Sequence, residues 1–111
     1  MSEPIPKNLL VHSISVESYV SMVSGAETFG TAYTINNVRV EPAFQNRYTG
    51  VGDSTRDQFI VVIDTVNSSS SGAAIKKKDR ITFGSLVLRV RKNIPAYGDT
   101  SAVHHYEVTC E

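Results

Sequence analysis

This 111-residue sequence predicts an all-β fold: a small, single-domain β-barrel or sandwich of about six strands with long loops. Three observations point there. Alternating or β-branched apolar runs recur along the chain between Gly, Pro, Asn and Ser, and no stretch keeps a convincing helical period. The last patterned segment, His104-His-Tyr-Glu-Val-Thr-Cys110, is itself a strand, which suits a sheet that closes on itself. An open sheet of this size would leave apolar faces and edges uncovered.

The elements follow in order. Residues 1–7, with Pro4 and Pro6, read as an N-terminal arm, and Leu9 to Val16 as a half-buried strand with Leu10, Ile14 and Val16 on one face. Residues 17–30 fit a short helix or a continued strand ending at Gly25; their serine and β-branched content weighs against helix. Tyr33-Thr-Ile35 and Val38-Arg-Val40 both alternate, but out of phase across Asn36-Asn37. That predicts a bulge or tight turn there, in a left-handed conformation asparagine tolerates. Pro42 limits pairing.

Residues 43–57 are polar and hold Gly50, Gly52, Asp53 and Ser54, so they read as a long flexible loop. Phe59-Ile-Val-Val-Ile63 is apolar throughout and predicts a central strand covered on both faces. Asn67 to Ala74, with four consecutive serines, reads as a flexible connection. Ile81-Thr-Phe83 and Leu86 to Val90 flank Gly84-Ser85, a hairpin with glycine first in a type II′ turn. Leu86, Leu88 and Val90 then face inward and Arg89 and Arg91 outward. Ile94-Pro95 is expected to break that strand. In the last strand His104, Tyr106, Val108 and Cys110 share the inward face, opposite His105, Glu107, Thr109 and Glu111.

Composition removes several function classes. Eleven basic residues balance eleven acidic ones, so no global field draws in nucleic acid or membrane. The distribution is uneven: residues 1–75 hold four basic and seven acidic side chains, residues 76–111 seven and four. Lys76, Lys77, Lys78, Arg80, Arg89, Arg91 and Lys92 therefore form a local basic stretch. One cysteine, Cys110, makes no internal disulfide and no structural zinc site by itself. No leader and no membrane-length apolar run is seen, so the expected compartment is reducing, most simply cytoplasm, and Asn67-Ser68-Ser69 is a chance glycosylation triplet.

No constellation suited to catalysis, cofactor binding or metal ligation is expected, and the protein reads as a non-enzyme. His104 and His105 are adjacent on a strand, so their rings should point to opposite faces rather than converge on one ion. His12 is distant, and no Cys or carboxylate is expected at ligand spacing from the pair. Cys110 reads as a buried structural thiol. No serine-nucleophile motif and no phosphate-cradling glycine loop is present. A small nucleic-acid-binding barrel is the alternative, but Arg89-Val-Arg91-Lys92 lacks interleaved aromatics for stacking.

Five marks in order complete the reading: Ile5-Pro-Lys-Asn-Leu-Leu-Val-His-Ser-Ile14, Ile35-Asn-Asn-Val-Arg-Val-Glu-Pro42, Arg80-Ile-Thr-Phe-Gly84, Ile94-Pro-Ala-Tyr97 and His104-His-Tyr-Glu-Val108. Together they resemble the minor capsid protein family of tailed bacteriophages and prophages, over nearly the whole chain apart from 17–30 and the serine-rich connection. The resemblance implies a head-closure, or stopper, protein of the head–tail connector. Such a barrel assembles as a homo-oligomeric ring in the virion neck, after synthesis in the host bacterial cytoplasm, between a head–tail adaptor and tail proteins. It retains packaged double-stranded DNA without sequence specificity, with no cofactor, membrane or small-molecule substrate. On that reading the 43–57 loop, with Arg47, Asp53 and Arg56, faces the channel, and Lys76, Lys77, Lys78 and Arg80 meet an acidic neighbouring ring.

Overall fold

Six strands close into a barrel in the computed structural model, which describes residues 4–44, 57–70, 72–98 and 101–111. In chain order the strands are β1 (His12–Glu17), β2 (Tyr19–Val23), β3 (Ala26–Phe29), β4 (Tyr33–Phe44), β5 (Asp57–Asp64), β6 (Arg80–Phe83), β7 (Leu86–Tyr97) and β8 (Val103–Cys110). Around the wall the order is β1-β4-β5-β8-β7-β6, every described pairing is antiparallel, and β6 returns to β1. A 3₁₀ turn, Lys7–Leu9, precedes β1. The all-β expectation holds, and barrel rather than sandwich is the form it takes.

Alternation supplies the core. Ile14 and Val16 of β1, Ile35 and Val38 of β4, Val61 and Ile63 of β5 and Ile81 of β6 are all buried, closed off by Leu88, Val90, Val108 and Cys110. Each buried branched side chain contributes about 1.5–3 kcal/mol, so closing the wall stabilises far more than any surface contact described below.

The phase change in β4 is a bulge. Ile35 pairs with Ile14 and Asn36 with Ser13, but Val38 pairs with His12, leaving Asn37 unpaired at φ +58°. The extra residue keeps both Ile35 and Val38 pointing inward. The Nδ1 of His12 accepts the Val40 amide at 3.0 Å beside that bulge, and the His12 ring meets Phe83 edge-on. The β6–β7 hairpin also matches expectation, with Phe83 opposite Leu86 and Gly84 at φ +60° in the first turn position.

Five expectations change. Residues 17–30 are neither helix nor simple continuation. They form a separate hairpin, β2–β3, whose turn residues Ser24 and Gly25 both have positive φ, as a type I′ turn needs. Second, β7 runs straight through Pro95. There β7 pairs with β8 alone, since β6 pairs only with Arg80's partner Arg89 and the residues before it, so the missing donor falls on an open edge. Pro42 sits likewise on β4 beyond its pairing with β1.

Third, Phe59–Ile63 is not covered on both faces. A barrel has one interior, so Val61 and Ile63 are buried while Ile60 and Val62 lie half-buried on the outer wall. Fourth, the serine-rich connection is tied down. The Ser68 hydroxyl donates to the Asn37 carbonyl and accepts the Asp64 amide, and Ser69 exchanges bonds with Asn36 through its own amide and hydroxyl. These serines satisfy the β4 backbone where its neighbour strand has ended. Gly72 and Ile75 then fold inward, and the Asn93 side chain donates to both of their carbonyls.

Fifth, His104 and His105 do not simply diverge. Ala96 pairs with His105 but Tyr97 pairs with Val103, which makes His104 the extra residue of a bulge. The bulge brings the two Nδ1 atoms to 2.9 Å, so one imidazole donates to the other. Of the strand's expected inward face, Val108 and Cys110 are fully buried and His104 and Tyr106 partly so.

Candidate partner-binding surface

The β2–β3 hairpin rests on a transverse row of charges on the outer wall. Glu17, Arg80 and Arg89 are cross-strand neighbours on β1, β6 and β7. Alternation turns them outward because Val16, Ile81, Leu88 and Val90 point in. Arg80 donates Nε and Nη2 to the two Glu17 oxygens at 2.9 and 2.8 Å, a bidentate fork. Arg89 makes an end-on fork with Glu27 of the hairpin, donating Nη1 and Nη2 to its two oxygens. The Phe29 ring receives both guanidiniums, 4.1 Å from Arg80 and 5.0 Å from Arg89, while Lys78 lies 5.2 Å from the Tyr19 ring. The hairpin contributes no residue to the hydrophobic core, so it is latched to the barrel by charge and ring contacts.

The latch is written in the acid chemistry of Glu27, and the wall beneath it in that of Glu17. The hydrogen bonds from Arg80 hold Glu17 below the usual carboxylate value, and those from Arg89 do the same for Glu27. A carboxyl with a lowered folded-state value contributes stability that is present above its unfolded value and lost as pH falls through the lowered one. Acidification below the usual carboxylate range is therefore expected to free the hairpin before the barrel melts. Amide exchange in 19–29 should rise ahead of exchange in β5 and β8. Uniform loss of protection would contradict the latch.

Two buried carboxylates anchor the chain, one of them, Asp79, at the base of this hairpin. Asp79 accepts the Tyr19 amide at the base of the hairpin and the Lys76 amide in its own turn, both at 2.9 Å. Asp64 accepts the amides of Ile5, Val66 and Asn67, which pins the arm preceding β1 to the turn after β5. Neither was singled out from the sequence. An Asx turn at Asp64-Thr-Val-Asn67 was legible as a motif. The Tyr19 partner of Asp79, 60 residues away, carries no local signal.

The sequence-proposed basic residues are placed as follows. Lys76, Lys77 and Lys78 are exposed, with the Lys76 ammonium 3.6 Å from Asp79. Arg80 is committed to Glu17 and Phe29. Of the other basic residues, Arg91 pairs with Glu111 at 2.6 Å. Arg47, Asp53 and Arg56 lie outside the described residues. Contrary to expectation a carboxylate does lie beside the histidine pair, because His105 and Glu107 share a face of β8 and Nε2 of His105 comes 3.8 Å from Glu107. Among the described residues no group of three or more His, Cys, Asp or Glu is arranged to hold a metal ion. Cys110 is buried, and burial pushes its thiol up to about 12, which leaves it a packing residue at neutral pH. No described helix is long and apolar enough to cross a membrane.

A family model for minor capsid proteins matches residues 6–110. This chain belongs to the minor capsid protein family. No curated protein and no solved structure gives a significant match. As a minor capsid protein it is a structural component of the phage virion. The match spans the latched hairpin and both anchoring carboxylates.

Proposed function

We propose that this minor capsid protein closes the head at the virion neck. Copies form a ring between a head–tail adaptor and the tail and keep packaged double-stranded DNA inside until ejection. The observation that supports this reading most directly is the join between β4 and β5. Phe44 pairs with Asp57, so the 12 residues 45–56 leave and re-enter the wall at one place, flanked by the closed barrel. A connection of that length, folded back on itself, reaches about 20 Å. In this reading it points to the ring axis, where Arg47 and Arg56 meet DNA phosphates and Asp53 shares the same loop. Contact of this kind needs charge and no base readout.

The exposed Lys76, Lys77 and Lys78, with Arg80 behind them, face an acidic neighbouring ring. In this reading the DNA contact is to phosphates. Tyr19 and Phe29, which could stack on bases, are already covered by Lys78, Arg80 and Arg89 within the chain. The test is made in the particle. Deleting the gene should give filled heads that leak DNA and fail to join tails, and the wild-type gene supplied in trans should restore both. A chain with 45–56 shortened should join tails but retain DNA poorly. Intact DNA retention and tail joining in the deletion would refute the neck reading. Normal retention with the shortened loop would refute the axial role of Arg47 and Arg56. Reversing Lys76–Lys78 to glutamate should block joining to the adjacent ring, and unchanged joining would remove that contact.

A further inference from the structure

Strand edges decide where another chain can add to this one. In the closed wall β5, β6 and β8 are paired on both sides, and β1 is so over Ser15–Glu17. The longest open edges of the wall are the outer parts of β4 and β7, beyond their pairing with β1 and β6, and each carries a proline, Pro42 or Pro95; shorter open stretches are left at His12–Ile14, Tyr33–Ile35 and Leu86–Leu88. Proline on an open edge obstructs strand addition because it offers no donor. The β2–β3 hairpin differs. It is a two-stranded sheet with an unpaired edge on either side and no proline. Val20, Met22 and Val23 are 63, 59 and 54 % exposed. A two-stranded ribbon is marginal in water unless more strands or a packed face support it. Here the support from the barrel is the charged latch, and the apolar side chains of β2 remain in solvent.

We infer that the β2–β3 hairpin joins one copy of this chain to the next, with the β2 edge of one ribbon adding to the β3 edge of its neighbour. The inference rests on the ring reading above and names the joint. A ring needs two different surfaces on each copy, meeting head to tail, and the ribbon supplies two unlike edges. The β2 edge, Tyr19-Val-Ser-Met-Val23, is uncharged, and β3 carries Glu27, held by Arg89. Joining β3 to β3 would bring Glu27 toward its own copy, while joining β2 to β2 would stop at two chains. The formal net charge of zero lets copies approach without mutual repulsion. Main-chain bonds would carry the affinity, and Val20, Met22 and Val23 would be covered in forming them.

The test uses the full chain. Sedimentation at rising concentration, up to the solubility limit, should show wild-type self-association. The double variant Val20→Lys, Val23→Lys should remain monomeric with an unchanged barrel melt, because neither side chain reaches the core. In a second arm, Ser21→Cys and Thr28→Cys variants are mixed and oxidised. Cross-links should form between unlike chains and not in either variant alone. A wild type that is monomeric throughout, or a double variant that associates as the wild type does, overturns the inference. Cross-linking within either single variant overturns the head-to-tail arrangement. The neck reading is judged separately, by DNA retention in the deletion particles. Wild-type association that survives the lysine substitutions would remove the hairpin from the ring and leave that reading standing.

Discussion

Replacing Asp79 by alanine is expected to lower the stability of the barrel by about 2–6 kcal/mol, because two donors lose their acceptor at ~1–3 kcal/mol each. Asp79 is 0 % exposed. Its Oδ1 takes the Tyr19 amide and its Oδ2 the Lys76 amide. Its ammonium neighbour, Lys76, is largely solvated, so that ion pair adds little to the cost. For a chain of this size the loss corresponds to a fall in melting temperature of roughly 8–24 °C. Asp79→Asn keeps one acceptor oxygen and should lose about half as much. The hairpin gives a second readout, since Tyr19 opens β2 and its amide would be released. Amide exchange through 19–29 should rise in Asp79→Ala more than the global loss of stability explains. A melt within 2 °C of wild type would mean the carboxylate does not hold the two segments together.

Gly72→Ala is the second large effect. Gly72 has φ +75°, and a Cβ built on it would lie 2.7 Å from Cδ1 of Ile63, with Cγ2 at 3.3 Å. The left-handed backbone costs roughly 1–2 kcal/mol for a residue with a Cβ. Overpacking against a buried isoleucine adds about 1–3 kcal/mol. The two causes separate in a double-mutant cycle. Ile63→Val removes the atom at 2.7 Å and by itself should cost about 0.5–1.5 kcal/mol. In that background the overpacking part of the Gly72→Ala penalty should shrink, giving a coupling of about 1 kcal/mol or more. Additive behaviour within about 0.5 kcal/mol would place the whole effect in the backbone. Urea unfolding of the four proteins measures each value, and an unchanged midpoint for Gly72→Ala would refute the close approach.

Gly72 also shows how far sequence patterning reaches. Four serines followed by glycine have the composition of a linker, and composition is blind to the partners a chain returns to. The hydroxyls of Ser68 and Ser69 bond the backbone of Asn36 and Asn37, more than 30 residues earlier, at a bulge that leaves the strand edge open. The bulge itself was legible, because a slip of one residue inverts the alternation and the Asn36-Asn37 step displays that inversion. The bulge at His104 was not. Its neighbours Val103 and Tyr106 keep no strict polar-apolar contrast, so nothing in the pattern marks the extra residue. Pro95 misled for a related reason. A proline halts a strand only where its amide is needed, and whether it is needed depends on which neighbour ends first.

The candidate surface divides the same way. The basic residues were visible as a cluster, and their outward direction at Arg89 followed from alternation. That Arg80 and Arg89 are occupied by Glu17, Glu27 and Phe29 was not visible, since those partners lie on segments about 50–60 residues away whose own structure the sequence left open.

By itself the sequence determined the all-β class, the inward rows that build the core, the Gly84 turn and the phase break at Asn36-Asn37. Each depends on near neighbours along the chain and on a side-chain period of two. Only the tertiary structure decided that the wall closes as β1-β4-β5-β8-β7-β6, that residues 19–29 stand apart as a latched hairpin, and that Asp64 and Asp79 anchor distant segments. Those features are pairings between residues far apart in sequence. Their free energy comes from satisfying buried backbone groups and excluding water, which no local pattern records.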